Sequence, residues 1–123
     1  MTAPYQDFEV PEELSKKTYD AIEKARETGK IKQGVNEVTK ALERKNAEIV
    51  IIATDIKPPE IVAHIPILAK EKEIPYTYVP SQKELGLASG IKVGSSAIAL
   101  TKTGEAKKEI EKIKDKIKEL KKE

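Results

Sequence analysis

The 123-residue chain contains no cysteine and a single histidine, His64. Without thiols, disulfide frameworks, thiolate zinc sites, iron–sulfur clusters and cysteine nucleophiles are all excluded. One imidazole rules out any site that needs two and leaves most transition-metal chemistry short of ligands. No apolar run approaches the roughly 20 residues of a membrane-spanning helix, and the acidic first residues lack the charge of a secretory signal. Glycine motifs for phosphate are missing too: neither Gly34 nor the Gly86, Gly90, Gly94 series fits a dinucleotide-binding or P-loop fingerprint. No cofactor, no metal and no membrane partner are therefore expected. The length suits one domain, and the composition fits a soluble, cytoplasmic one with a modest core.

What is abundant is charge. Charged residues make up 36% of the chain against 38% apolar, yet the net charge is only +2. That total alone does not suggest a nucleic-acid partner, but its distribution is uneven. Residues 1–15 carry four acids and no base, whereas residues 16–45 carry nine bases and five acids. Residues 46–104 balance, and residues 105–123 carry eight bases against six acids. The positive excess falls mainly on the first third.

The polar, proline-interrupted residues 1–10 are expected to form a flexible tail, with 11–123 as a single domain. Pro11-Glu12-Glu13 opens a helix, since proline suits the first turn and acids favour the positive end of the dipole. Leu14, Thr18, Ala21, Ile22 and Ala25 follow at helical spacing to Gly29, a C-terminal cap. Lys30 to Gln33 fits a short strand that Gly34 breaks, and a second helix runs from Asn36 to near Lys45. Ile49-Val50-Ile51-Ile52-Ala53 is apolar without alternation, as for a strand covered on both faces. Pro58-Pro59-Glu60 is expected to open a third helix through Ile61, Val62, Ile65 and Leu68, kinked or divided at Pro66. Tyr76 to Val79 and Ala97 to Leu100 read as strands. Between them, Ser81 caps a short helix over Lys83 to Ser89, and Gly90 to Gly94 is a loop. Ile110, Ile113, Ile117 and Leu120 stripe a final helix that starts near Gly104. Helix and strand in alternation predict an α/β fold, a three-layer α/β/α sandwich around a small, mixed, four-stranded sheet.

Two segments stand out chemically. If Asn36 begins its helix, then Asn36, Glu37 and Lys40 crowd the first turn, where free amides and the dipole attract phosphate. Asparagine, glutamate and lysine there can also read base edges, with Lys30, Lys32 and Arg44 adding positive charge. A simple alternative is that Asn36 is an N-cap and Glu37 a dipole-favoured acid. The second segment, Gly90-Ile91-Lys92-Val93-Gly94, places two β-branched apolar residues in a glycine-hinged loop. They either stack on an unstacked RNA base or tuck back onto the core. His64, amid apolar residues, reads as a hydrogen-bonded or partly exposed histidine, because no serine and acid are placed to make it catalytic. Asp55, at the end of the central strand, is either a ligand group or a brace for the turn before Pro58. No catalytic constellation is present.

Gly34-Val35-Asn36-Glu37-Val38-Thr39-Lys40-Ala41, then Pro58-Pro59-Glu60-Ile61-Val62-Ala63-His64-Ile65-Pro66, then Ile74-Pro75-Tyr76 with Leu85-Gly86, together resemble the kink-turn RNA-binding family, L-seven-Ae in spoken form. The resemblance covers residues 11–120 and is nearest to the archaeal large-subunit (50S) ribosomal branch. It implies binding to the sharp RNA bend where tandem sheared G·A pairs follow a three-nucleotide bulge. By position, Asn36, Glu37 and Lys40 would read guanine edges, with Gly34 turning the chain beside them. Lys32, Gln33 and Arg44 would support them on guanine or phosphate. Ile91, Lys92 and Val93 would cover the flipped-out bulge nucleotide, with Ile61 near its pocket. The family departs from this chain at Gln33, where lysine or arginine is common, and at Lys92, where many archaeal members have glutamate.

The function so implied is non-catalytic. The chain would bind kink-turns in ribosomal RNA, box C/D and H/ACA guide RNAs and ribonuclease P RNA, and so enter transfer-RNA processing. It would nucleate assembly by presenting bent RNA to further proteins of those particles, and be a monomer when free. A competing reading is a protein-interaction scaffold that docks through the third helix, with RNA contact secondary. A nucleotide-binding enzyme near Asp55 lacks the convergent polar groups such a site needs.

Overall fold

In the computed structural model, which describes residues 3–121, helix α1 (Glu12–Thr28) leads into strand β1 (Lys30–Gln33) and helix α2 (Val35–Glu43). Strand β2 (Ile49–Ala53) follows, then a 3₁₀ turn (Pro59–Ile61), helix α3 (His64–Glu71) and strand β3 (Tyr76–Val79). Helix α4 (Gln82–Ala88), strand β4 (Ala97–Lys102), a second 3₁₀ turn (Gly104–Ala106) and helix α5 (Lys107–Lys121) complete the chain. The strands lie in the order β1-β4-β2-β3. β2 and β3 are parallel, with Ile51 opposite Thr77, whereas β4 runs antiparallel to both β1 and β2. The α/β architecture with a mixed four-stranded sheet is therefore as expected. α1 packs with α4 and α5, α2 packs with α3, and the two groups cover the two faces of the sheet. Covered on both faces, all five residues of β2 are buried, which is why its sequence shows no alternation. No helix among the described residues is long and apolar enough to cross a membrane.

Two expectations need correction. The flexible tail assigned to residues 1–10 fails for the described part, 3–10, because aromatic side chains anchor it. Tyr5 and Phe8 are buried, and the Phe8 ring lies 5.2 Å from that of Tyr78 and 5.9 Å from that of Tyr76. Tyr5 Oη donates to the Ala53 carbonyl at 2.6 Å. The Asp7 carboxylate accepts from the hydroxyls of both Tyr76 and Tyr78. From the other terminus, Lys121 Nζ sits 4.2 Å over the Tyr76 ring, a cation–π contact. Four of the chain's five aromatic residues thus meet in one strap that ties the N-terminal segment to β3 and the end of β2.

The second correction concerns the segment after Pro58. The structure divides it at Val62 and Ala63, and Pro66 neither kinks nor splits it. Pro66 is the third residue of α3, where its missing N–H would have had no intrahelical partner. The chain instead turns at Val62, whose N–H reaches only back to Pro59 in 3₁₀ fashion.

Candidate nucleic-acid interface

Because β4 is antiparallel to its neighbours, the C-terminal ends of β1, β2 and β3 and the N-terminal end of β4 lie at one end of the sheet. The segments leaving that end are the Gly34 turn, residues 54–61 and residues 80–82, joined by the loop entering β4. The candidate side chains ride on these segments.

Gly34 follows the last residue of β1, and its N–H donates to the Ala97 carbonyl at 2.9 Å. Its φ of 92° and ψ of 158° belong to a region that only glycine occupies without strain. From there α2 starts at once: the Gly34 carbonyl accepts the Val38 N–H at 3.0 Å. The helix therefore begins one residue before Asn36, and Gly34 holds the cap position without a side chain. This removes the capping explanation for Asn36. Its amide sits at the second helical position, exposed, with no hydrogen bond to the protein among the described residues. Glu37 and Lys40 are exposed on the same turn, 3.9 Å apart as an ion pair. Such a pair in water holds weakly and separates readily for a ligand. The helix dipole and the free first-turn amides add positive potential at this point.

Lys32 is exposed on β1 between the half-buried Ile31 and Gln33. Arg44 is the C-cap of α2, about 12 Å along the axis from Asn36 at the helical rise per residue. It continues the Glu37–Lys40 stripe but stands apart from the first-turn cluster. Ile61 ends the 3₁₀ turn and is 44% exposed, and Val93 is 70% exposed. In the loop, Lys92 is exposed and Ile91 half-buried, so only Ile91 turns partly toward the core.

The loop is held from below by α4. Gly86 is buried against it: a Cβ there would meet the Val93 carbonyl oxygen at 2.0 Å. The Gly86 carbonyl accepts the Ile91 N–H at 3.0 Å, and the Gln82 carbonyl accepts the Ser95 N–H at 2.9 Å. Asp55 Oδ1 accepts the Gln82 N–H at 3.0 Å, which identifies Asp55 as a brace between the end of β2 and the start of α4. Gln33, Ser89 and Arg26 complete this support: Gln33 Nε2 reaches the Ser89 carbonyl at 3.0 Å, and Arg26 Nη1 reaches that of Leu87 at 3.1 Å. Ser89 and Arg26 escaped sequence reasoning. The only signal was a serine and glycine closing a short helix, which is a common C-terminal pattern and points to no partner.

His64 is exposed, with Nε2 2.9 Å from Thr39 Oγ1. Thr39 already donates its hydroxyl proton to the Val35 carbonyl at 2.7 Å, which leaves His64 Nε2 as the donor. The histidine is thus a link between α3 and α2. Among the described residues no group of three or more histidine, aspartate or glutamate side chains gathers in a metal-binding arrangement.

The model of the ribosomal protein L7Ae/L30e/S12e/Gadd45 family matches residues 16–110, a span that contains every residue placed above from Arg26 to Ser95. Among solved structures, the Giardia lamblia 15.5kD RNA binding protein is similar to this chain with a TM-score of 0.84 at 30% sequence identity. The similarity covers 95% of this chain and 98% of that one.

Proposed function

Because this chain belongs to the ribosomal protein L7Ae/L30e/S12e/Gadd45 family, we propose that it is a non-catalytic RNA-binding protein that recognises kink-turns. The observation that carries this reading is the first turn of α2. Asn36 and Glu37 present an amide and an acceptor there, and Lys40 adds a cation one turn along the same face, with no hydrogen bond to the protein among the described side chains except a weak ion pair. Beside them the 90–94 loop and Ile61 expose apolar side chains at the same end of the sheet.

Sheared G·A pairs offer the guanine edge that these polar groups fit: carboxylate for base amino groups, lysine for O6 or N7, asparagine for a bidentate contact. Val93, Ile91 and Ile61 supply apolar cover for an unstacked bulge base, and Lys32, Lys92 and Arg44 supply charge for phosphates. Gly34 brings the RNA backbone and the helix amides close. A protein that binds only the bent form shifts the RNA's conformational equilibrium by its differential affinity, and needs no chemistry of its own. In this reading its RNAs are ribosomal RNA, box C/D and H/ACA guide RNAs and ribonuclease P RNA. The bent complex is then the platform for the other proteins of those particles, and the free protein is a monomer.

Titration with a short kink-turn hairpin tests this. Affinity is expected to fall at least about a hundredfold when the two G·A pairs become Watson–Crick pairs, a discrimination of the size two specific base contacts supply. Equal affinity for both hairpins would overturn the proposal.

A further inference from the structure

We propose that Gln33 is a positioning residue whose side-chain amide fixes the 90–94 loop relative to the first turn of α2, and that it does not read guanine itself. The inference rests on the kink-turn reading and assigns a distinct task within it.

The last carbonyls of a helix have no partners within it. At the end of α4 several of them find partners from outside the helix. The Gly86 carbonyl accepts from the Ile91 N–H and from Ser89 Oγ, both at 3.0 Å. The Leu87 carbonyl accepts from the Gly90 N–H and from Arg26 Nη1, both at 3.1 Å. The Ser89 carbonyl is left to Gln33 Nε2 at 3.0 Å, and the same nitrogen lies 3.1 Å from Ser89 Oγ. A backbone carbonyl only accepts, so the amide must turn its nitrogen toward Ser89. Ser89 is 6% exposed and Gln33 half-buried, so the link is partly withdrawn from water.

The side-chain nitrogen is committed to the Ser89 carbonyl and hydroxyl oxygens. It cannot donate to guanine O6 or N7 without releasing the loop, so the guanine role that the family resemblance gives this position conflicts with its place in the fold. Gln33 also closes β1 opposite Ile98 and immediately precedes Gly34. Through Ser89 it grips the residue before Gly90, where the loop departs with φ 94°. One side chain therefore ties the strand that launches the guanine-reading turn to the loop that covers the bulge base. Holding the loop in place before RNA arrives lowers the ordering cost of binding.

The test uses the intact chain with Gln33→Met, which keeps the length of the side chain and removes its donors. Ser89→Ala is the companion variant. Two hairpins are compared, one a complete kink-turn and the other identical but abasic at the bulged position that the loop would cover. Gln33→Met is expected to weaken binding of the complete hairpin about three- to tenfold, the range of one or two hydrogen bonds, and of the abasic one less than about twofold. The salt dependence stays unchanged, because no charge is altered. Equal losses on both hairpins would mean that Gln33 contacts RNA elsewhere and would overturn the assignment, as would no loss on either. Hydrogen exchange of the Ile91 amide in the free protein gives a second readout that needs no RNA. It should quicken about tenfold in either variant, the response to losing an interaction worth one hydrogen bond, and an unchanged rate would also overturn the proposal. If the parent chain fails to prefer the kink-turn over its Watson–Crick counterpart, the functional reading falls, while the exchange result still decides the role of Gln33.

Discussion

Asn36, Glu37 and Lys40 occupy the second, third and sixth positions of α2, so Glu37 and Lys40 share one face while Asn36 is turned about 100° from Glu37, and Lys32 stands apart on β1. Base reading and phosphate contact should therefore separate under mutation. Glu37→Ala is expected to reduce discrimination between G·A and Watson–Crick hairpins by about 1–3 kcal/mol, the range for one good base contact. Lys32→Ala should weaken all RNAs alike and lower the slope of log affinity against log salt by about 1, as for one lost phosphate contact. Titrations at several salt concentrations distinguish the two patterns. At this scale the sequence was a good guide to identity and a poor one to geometry. The motif drew attention to the start of α2, but Asn36 read equally well as a cap, since asparagine favours that position on propensity alone. Only the positive φ of Gly34, set by where β1 ends against Ala97, moves the cap back and frees the asparagine.

At the scale of elements, α4 acts as the shelf for the loop. It is seven residues long, capped at its start by Ser81, whose side chain accepts the Glu84 N–H, and its end is held from outside by Arg26 and Gln33. Gly86 permits the close approach. Gly86→Ala should destabilise the fold by about 1–3 kcal/mol, the usual cost of overpacking, because its Cβ collides with backbone that has no rotamer to change. Urea unfolding measures that loss, and the displaced loop should also weaken binding of a bulge-containing hairpin. Strands and helices were legible here from apolar runs and caps. The break before α3 was not, because two prolines, Pro59 and Pro66, each sit where a helix tolerates them. The chain turns between them at Val62 and Ala63, with Val62 and Ile65 both fully buried.

For the molecule as a whole, the aromatic strap joins the two ends of the described chain. Burial pushes the Tyr76 and Tyr78 hydroxyls well above their ordinary range, and the hydrogen bonds to Asp7 and its charge push them further. A raised pKa in the folded state means that folding favours the protonated tyrosine. The resulting stability is complete below the unfolded-state value near 10 and is lost as pH rises above it. Melting temperature is therefore expected to fall above pH 10 in the parent, and more gently in Tyr76→Phe/Tyr78→Phe. Thermal scans between pH 7 and 11 test the difference, with parallel profiles as the contrary result. The strap was invisible in the sequence because residues 1–10 show no helical or strand periodicity, while Tyr5 and Phe8 find partners some seventy residues away. Net charge misled in the same way: +2 for the whole chain conceals a basic first third that holds Lys32, Lys40 and Arg44.

The position of β4 has a consequence for how the protein is made. Of the four described strands it is the last in the chain, yet it belongs inside the sheet, between β1 and β2. Until Ala97 to Lys102 emerge, β1 has no partner at all and β2 keeps one open edge that invites pairing with another chain. A nascent chain must therefore wait, with two of its strands made and unpaired on that side, until β4 is made. A fragment that stops before Ala97 should be a sticky, unfinished sheet, even though α2 and the Gly34 turn are already made.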